Sequence, residues 1–548
     1  MLIDRLRILF SRLLTPVAAA TLAALVSMAA VSPAAAQVPP RGPDFDHNGH
    51  DDIAIGSPFE DWGSLTNAGM VSVGYGTDSG FAVPGGFRGF LTQSNTSQES
   101  PEQADGFGTA LAWGDFNGDC FDDLAVSAEN EEIGGETLAG VVHIFYGSEN
   151  GLSQNNPDIL HRDIAGVPEV VESGDRFGSR LAAFDYNGDG IDDLAVAADG
   201  ADNGLGGVHI FQGVKDAGLF SFGSRYFNWA NLGLQPAAHF GWSLAAGDFN
   251  CDGRDDLAIG SPFAETNGEI YSGEVVVLFG ADWMSADGLQ VWRQGSNGLN
   301  ETVEAWDQFG TSLATGNFNG DVSRNGHQCL DLAIGTPFED FSTTSNVGIV
   351  QVIFGSPAEG ADLNGLQTLS PSDELISQSP AEMQDALEAS DNFGYSLVAG
   401  RFDDDGFDDL AIGVQWENAH GAVAIVRGRS FGMTFSGNVL WDQSDANYVP
   451  ESGDRFGETL GYARNADIIG PKLLVGAPFE SLNSLNETGV VNAFTLDSTQ
   501  QGIVLSHSTA LEQSTFGGSS REAGDRFGLA LLAPRHVSAR VCPLVVTF

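Results

Sequence analysis

Short apolar runs of four to seven residues, bounded by Gly, Asp, Asn and Pro, recur along the whole chain at a regular interval. The clearest copy is Gly247-Asp-Phe-Asn-Cys-Asp-Gly-Arg-Asp-Asp-Leu-Ala-Ile-Gly-Ser-Pro-Phe263. Its apolar segment begins at Ile53, Leu124, Leu194, Leu257, Leu332, Leu410, Leu473 and Leu544, with spacings of 71, 70, 63, 75, 78, 63 and 71 residues. Seven Phe-Gly pairs precede such segments, at Phe107, Phe177, Phe240, Phe309, Phe393, Phe456 and Phe527. Each pair opens an apolar run such as Phe240-Gly-Trp-Ser-Leu-Ala-Ala246. An acidic loop, the Leu-Ala-Ile-Gly segment, a variable loop and a third run such as Val141-Val-His-Ile-Phe-Tyr146 follow. A more polar stretch before the next Phe-Gly supplies a fourth. Runs of this length, rich in β-branched and aromatic residues, read as strands. A weak helical pattern over 381–388 is the one competitor.

Four short antiparallel strands in each unit of about 70 residues predict an all-β, seven-bladed β-propeller, with an open β-solenoid as the alternative. The first unit enters at its acidic loop, at Asp44, without a Phe-Gly strand, while the end of the chain carries a spare one, Phe527-Gly-Leu-Ala-Leu-Leu-Ala533. A strand missing at one end and surplus at the other implies a ring closed by its own C-terminal strand, which removes exposed sheet edges. Leu544 to Thr547 forms an eighth copy of the second strand, so eight blades with a partial last one stay open.

Composition narrows the partners. With 74 acidic and 23 basic residues, the 548-residue chain has a formal charge of -51. Nucleic acid and anionic lipid would repel it, so neither is expected as a partner. Apolar residues at 42% and 36 Phe supply a packed core, and 71 Gly suit many tight turns. Arg5, Arg7 and Arg12 before the apolar stretch 13–30, then Ala34-Ala35-Ala36, predict a signal peptide over 1–36 cleaved after Ala36, with an uncleaved anchor as the alternative. Residues 37–43 then form a short linker and 44–548 the propeller. No later run is long enough to span a membrane, so a secreted or cell-envelope location is expected. Cys120, Cys251, Cys329 and Cys542 form no C-x-x-C motif. Ring geometry allows pairings between neighbours, Cys120 with Cys542 and Cys251 with Cys329.

The units resemble FG-GAP repeats, the building block of the propeller of integrin alpha subunits and of many secreted bacterial proteins. The seven Phe-Gly pairs carry the resemblance, together with the triplets Gly56-Ser-Pro58, Gly260-Ser-Pro262, Gly335-Thr-Pro337 and Gly476-Ala-Pro478. The triplet is lost at Ser127-Ala-Glu129, Ala197-Ala-Asp199 and Gly413-Val-Gln415. In integrin alpha subunits the calcium loops lie in the later blades, and this chain reverses that distribution.

The acidic loops have the form D-x-[DN]-x-[DN]-G-x-x-D, with oxygen side chains at positions 1, 3, 5 and 9 and a backbone carbonyl available at 7. A hard cation such as calcium needs six to eight oxygens at about 2.3–2.6 Å, which alternating carboxylates in a tight loop can supply. Four copies are complete: Asp44, Asp46, Asn48, Asp52; Asp115, Asn117, Asp119, Asp123; Asp185, Asn187, Asp189, Asp193; and Asp248, Asn250, Asp252, Asp256. Carbonyl donors at position 7 are His50, Phe121, Ile191 and Arg254. Asp51, Asp122, Asp192 and Asp255, one step out of phase, are expected to bond the loop backbone or meet solvent. Asx turns without metal are the alternative. The fifth loop (Asn317, Asn319, Asp321, Asp331) carries six extra residues and leaves calcium open. In the sixth, Arg401 stands ahead of Asp403, Asp405 and Asp409, where its guanidinium could replace the cation. The seventh keeps no ligand pattern and has Lys472 at the last position.

Catalytic constellations are scarce. Gly428-Arg-Ser-Phe-Gly432 matches G-x-S-x-G by chance, without the helix a nucleophile elbow needs. The element E-x-x-D-x-F-G, as at Glu172 to Gly178 and Glu451 to Gly457, recurs too often to be a site and suggests inter-blade hydrogen bonding. Variable loops after the Gly-Ser-Pro positions are better placed for ligands. Among them Phe59, Phe263, Phe338 and Phe479 read as wedges between blades. These features lead to a calcium-binding, non-enzymatic propeller that recognises an extracellular protein or carbohydrate ligand. The alternatives are a carbohydrate-active hydrolase or lyase and a non-catalytic subunit of an envelope assembly.

Overall fold

A computed structural model describes residues 39–78, 80–82, 89–95, 100–154, 157–236, 238–296, 299, 301–323, 325–341, 343–356, 369–377, 388–403, 405–446, 448–464, 471–482, 485–499, 502–516 and 522–537. The signal sequence, most of the 381–388 pattern, Cys542 and Leu544–Thr547 lie outside them. Seven antiparallel sheets follow one another around a ring. In the third blade the order from the channel outwards is Phe177–Phe184, Asp193–Ala198, Gly207–Val214 and Gly218–Phe227. The second strand is buried on both faces because the neighbouring blades cover it. Apolar clusters accordingly lie between successive blades rather than at one centre. One joins Trp113, Leu124 and Val141 to Val71 and Val73 of the blade before.

The Phe-Gly pair is the device that stacks one blade on the next. Every Phe of the seven is fully buried. Each donates its N–H to a backbone carbonyl of the preceding blade at 2.8–3.1 Å, from Phe107 to Ala68 round to Phe527 to Thr488. Gly178 has φ of 93°, and a Cβ there would sit 2.8 Å from the Ser127 side chain of that preceding blade. A left-handed backbone in contact with its neighbour admits only glycine without strain.

The ring closes as the strand arithmetic predicts. Ala530–Leu531 pairs antiparallel with Ile53–Ser57, so the first blade takes its inner strand from the end of the chain. Gly528 donates to the Gly56 carbonyl at 3.2 Å. The stretch read as a linker is pinned too, since Arg41 and Arg535 exchange backbone hydrogen bonds at 3.1 and 3.0 Å. Beyond the closing strand the tail crosses the channel: the Trp113 indole donates to the Ala533 carbonyl at 2.9 Å, and the Arg535 guanidinium to the Trp113 carbonyl at 3.0 Å. Cys251 and Cys329 form the expected bond between the fourth and fifth loops, and Cys120 is also disulfide-bonded. Among the described residues no helix is long and apolar enough to cross a membrane.

Candidate functional site

In the second to sixth blades the chain runs from the Phe-Gly pair through the inner strand to the first position of the acidic loop, and in the first blade too the acidic loop precedes the second strand, so these loops lie on one face of the ring. Alternating Asp and Asn fold these loops through their own backbone N–H groups. In the third loop the Asp185 carboxylate accepts the Asp189 and Gly190 N–H groups at 3.1 and 2.8 Å. Asn187 accepts the Asp189 N–H at 2.8 Å, and Asp189 accepts the Ile191 N–H at 2.9 Å. The same ladder recurs about Asp44, Asn48 and His50, about Asp115, Asp119 and Phe121, and about Asp248, Asp252 and Arg254. The same hydrogen bonds thus link the first, third, fifth and seventh positions in all four loops.

The ninth position has a second task. Both oxygens of Asp193 are occupied by N–H donors, Tyr186 at 3.1 Å and Gly213 at 2.9 Å. Asp52, Asp123 and Asp256 repeat this clamp, and so do Asp331 and Asp409 in the fifth and sixth loops. This aspartate therefore ties loop to third strand whether or not the other ligands survive.

In the first loop, carboxylate oxygens of Asp44, Asp46 and Asp52 lie within 4.8 Å of one another, the one such group of three among the described residues. Loops two to four have Asn at the third position, which leaves their carboxylates at 1, 5 and 9 only. Burial, then the neighbouring carboxylates Asp122 and Asp46, push Asp44 up to about 6, against the pull of the Gly49 and Asn48 N–H groups. Burial with Asp255 and Asp252 nearby pushes Asp248 up to about 8. Desolvated, mutually repelling oxygens without a nitrogen or sulfur donor suit a hard divalent cation. The fifth loop departs from the ladder: the Asn317 side chain donates to the Asp321 carbonyl at 3.1 Å instead of accepting from the loop.

One expectation changes here. Arg401 does not enter the sixth carboxylate cluster; it bonds Asp408 at 3.2 Å. The cluster is met instead by Arg429, which reaches Asp405 and lies 3.6 Å from Asp403, and by Arg427 at 3.7 Å from Asp403. Arg427 and Arg429 come from the third strand, whose distance in sequence hid them. The out-of-phase aspartates bond the loop of the preceding blade. Asp122 accepts the Asp44 N–H at 2.8 Å, Asp192 that of Asp115 at 2.8 Å, Asp255 that of Asp185 at 3.1 Å, and Asp408 that of Asn317 at 2.7 Å.

This inner circle of carboxylates is met by two arginines and a histidine from two stretches far apart in the sequence. Arg41 pairs with Asp122 at 2.5 Å, Arg535 with Asp192 at 2.9 Å, and His536 with Asp408 at 2.5 Å. Burial pushes Asp408 up, but His536 and Arg401 prevail and hold it below the usual carboxylate range.

On the opposite face the Gly-Ser-Pro loops are largely architectural. Glu131, Glu339 and Glu480 are buried and accept from Gln93, Gln294 and Gln443 of the preceding blade at 2.5, 2.5 and 2.7 Å. Glu60 meets Gln513 in the same way across the closing interface. The E-x-x-D aspartate caps its own turn: Asp175 accepts the Glu172 N–H at 2.7 Å. Phe59 and Phe479 are wedges as expected, each stacked on Arg526, at 4.8 and 4.6 Å. Ser430 of the G-x-S-x-G match lies at the turn between Ala422–Arg429 and Gly432–Trp441, without a following helix.

A family model of the FG-GAP repeat matches residues 42–73, 107–145, 177–211 and 240–277, which contain the four complete loops. The chain carries FG-GAP repeats. Phosphatidylinositol-glycan-specific phospholipase D of Bos taurus is 32% identical over 218 residues, covering 39% of this chain and 25% of that protein. Integrin alpha-5 of Xenopus laevis is 28% identical over 242 residues, covering 43% and 20%. The matches thus span a quarter or less of these relatives' length. Among solved structures, the exotype rhamnogalacturonan lyase YesX aligns over 80% of this chain and 70% of its own, with 14% identity and a TM-score of 0.38. The phospholipase match corrects the expectation of a non-enzymatic chain: FG-GAP repeats like these occur in a protein named for its catalysis.

Proposed function

We propose that this FG-GAP chain is an exported, calcium-stiffened propeller that recognises an extracellular protein or glycan. The observation that carries the reading is the hydrogen-bond ladder repeated in four loops on one face, which positions the oxygens a calcium ion needs. Calcium there would supply positive charge to carboxylates that otherwise repel. The face that carries the Phe-Gly ends is left for ligand. A binding screen of glycans and matrix proteins, run in calcium and in EGTA, tests this. Saturable binding that weakens in EGTA supports it, and binding to nothing on either panel refutes it.

The kinship with phosphatidylinositol-glycan-specific phospholipase D favours a second reading, in which the chain takes part in turnover of a glycolipid. Release of headgroup from a glycosylphosphatidylinositol substrate by the purified chain supports that reading; no release with the complete chain refutes it.

A further inference from the structure

The channel-lining strand repeats a small residue at its fourth position: Ala110, Ser243, Ser312, Ser396, Thr459 and Ala530. Where it is Ser or Thr, the hydroxyl donates to the Phe-Gly carbonyl of the next blade at 2.6–2.7 Å. The third blade alone breaks the rule, with Arg180. The third position varies likewise, from Thr109, Ser179 and Thr311 to Trp242, Tyr395 and Glu458. Constant positions in a repeat serve the stacking of blades, and single departures serve something built once.

These departures converge on one cavity of about 570 Å³ at the Phe-Gly end of the channel, a volume suited to a small ligand. Below it the inner strands narrow the channel together with Leu532 to Arg535 of the tail, which line a smaller void of about 120 Å³.

We propose that this cavity binds an acidic saccharide, a uronate or a sulfated sugar, with its anionic group on Arg180 and its ring against Trp242. The inference deepens the recognition reading and rests on it. The charges around the cavity are otherwise answered. Glu129 lies 3.3 Å from Arg176, Asp199 lies 3.4 Å from His239 and 3.9 Å from Arg176, and Glu458 accepts from Gln415 at 2.6 Å and lies 3.7 Å from Arg455. Arg180 forms no ion pair within 4.0 Å among the described residues, although its charge acts at longer range on Glu129 and Asp199; its guanidinium donates to the adjacent Ser179 carbonyl at 2.6 Å. A planar guanidinium with donors to spare is matched by a carboxylate or sulfate. It lies over one face of the Trp242 ring, 5.4 Å from its centre, and Phe263 and His239 pack edge-to-face with that ring at 5.0 and 5.9 Å. An aromatic face beside an anion site fits a sugar ring, and Glu129, Glu458 and Thr311 stand ready to accept its hydroxyl protons. A lone peptide carboxylate would use Arg180 and leave those acceptors idle.

Titration calorimetry of the full chain tests this, with glucuronate and galacturonate trisaccharides, their methyl esters, and 6-sulfated and unsulfated N-acetylglucosamine. The carboxylate and sulfate arms identify the anion. Arg180→Ser installs the residue that other blades carry, so its melting temperature should stay at the wild-type value. At least one acidic sugar should bind saturably, and both esterification or desulfation and Arg180→Ser should weaken it at least tenfold. No binding across the panel, or equal binding by Arg180→Ser, overturns the proposal. If the wider screen still yields a protein or neutral glycan whose binding Arg180→Ser leaves unchanged, the recognition reading survives without this pocket.

Discussion

Replacing Asp331 isolates the clamp from any role in holding a cation, because the fifth loop has lost the ladder that organises the other ligands. Asp331 is fully buried, and its two oxygens accept the Phe318 and Gly355 N–H groups at 2.8 and 2.9 Å. Asp331→Ala leaves both donors buried without a partner, at about 1–3 kcal/mol each, so the loss is about 2–6 kcal/mol. It falls toward the lower end because burying the carboxylate is itself unfavourable, as the strong upward push of burial on its pKa reflects. Asp331→Asn keeps one acceptor and turns an NH2 toward the other donor, for about 1–3 kcal/mol. At ~2.1 cal/mol/K of unfolding entropy per residue, a chain of this length loses roughly 1 °C per kcal/mol. Scanning calorimetry should therefore show Asp331→Ala melting about 2–6 °C below wild type, with the same shift in calcium and in EGTA. Asp256→Ala should match it in EGTA and fall further behind in calcium. An Asp331→Ala protein within about 1 °C of wild type, or a deficit that vanishes in EGTA, would refute the clamp.

Calcium at a hundredfold excess over Kd should stabilise the chain by about 2.7 kcal/mol per site, and Asp189→Ala or Asp252→Ala should remove one site's share. Asp403→Ala should leave the calcium response unchanged, since Arg427 and Arg429 already meet that carboxylate; equal melting temperatures in calcium and EGTA would end the metal reading. Burial, aided by nearby carboxylates, raises Glu339 to about 8, Asp307 to about 7 and Asp525 to about 8. These folded values exceed the unfolded ones, so the folded chain binds more protons and its stability in EGTA should fall as pH rises from about 4 to 8. Melting scans that rise across that window would contradict this, and Glu339→Gln should flatten the slope. Deleting residues 520–548 removes the Ala530–Leu531 strand and opens both edges of the ring, which should cause aggregation or a lower melting temperature in light scattering and calorimetry. A monomeric truncation with unchanged melting would show that closure does not depend on the tail.

The seven-bladed architecture was legible in the chain because each blade is written by local rules. Phe-Gly pairs, alternating Asp and Asn and short β-branched runs act within a few residues of one another, and repetition multiplies a weak signal. Closure was legible for the same reason: a strand missing at Asp44 and surplus at Phe527 is a count along the chain. The register of the four complete loops, from Asp44 to Asp256, was likewise carried by spacing alone.

Contacts between blades were not, because the partners stand about seventy residues apart or more. That Asp122 bonds the loop of Asp44 and that Arg535 and His536 reach Asp192 and Asp408 depend on the angle at which one sheet stacks on the next. That Arg427 and Arg429 rather than Arg401 meet the sixth cluster depends instead on how the third strand pairs within its own blade. Arg180 stood in the sequence as a break in a row of Ser, Thr and Ala. Only the closed ring decides that its guanidinium shares one cavity with Trp242, Tyr395 and Glu458 from three other blades, because convergence on an axis belongs to the ring and to no single repeat.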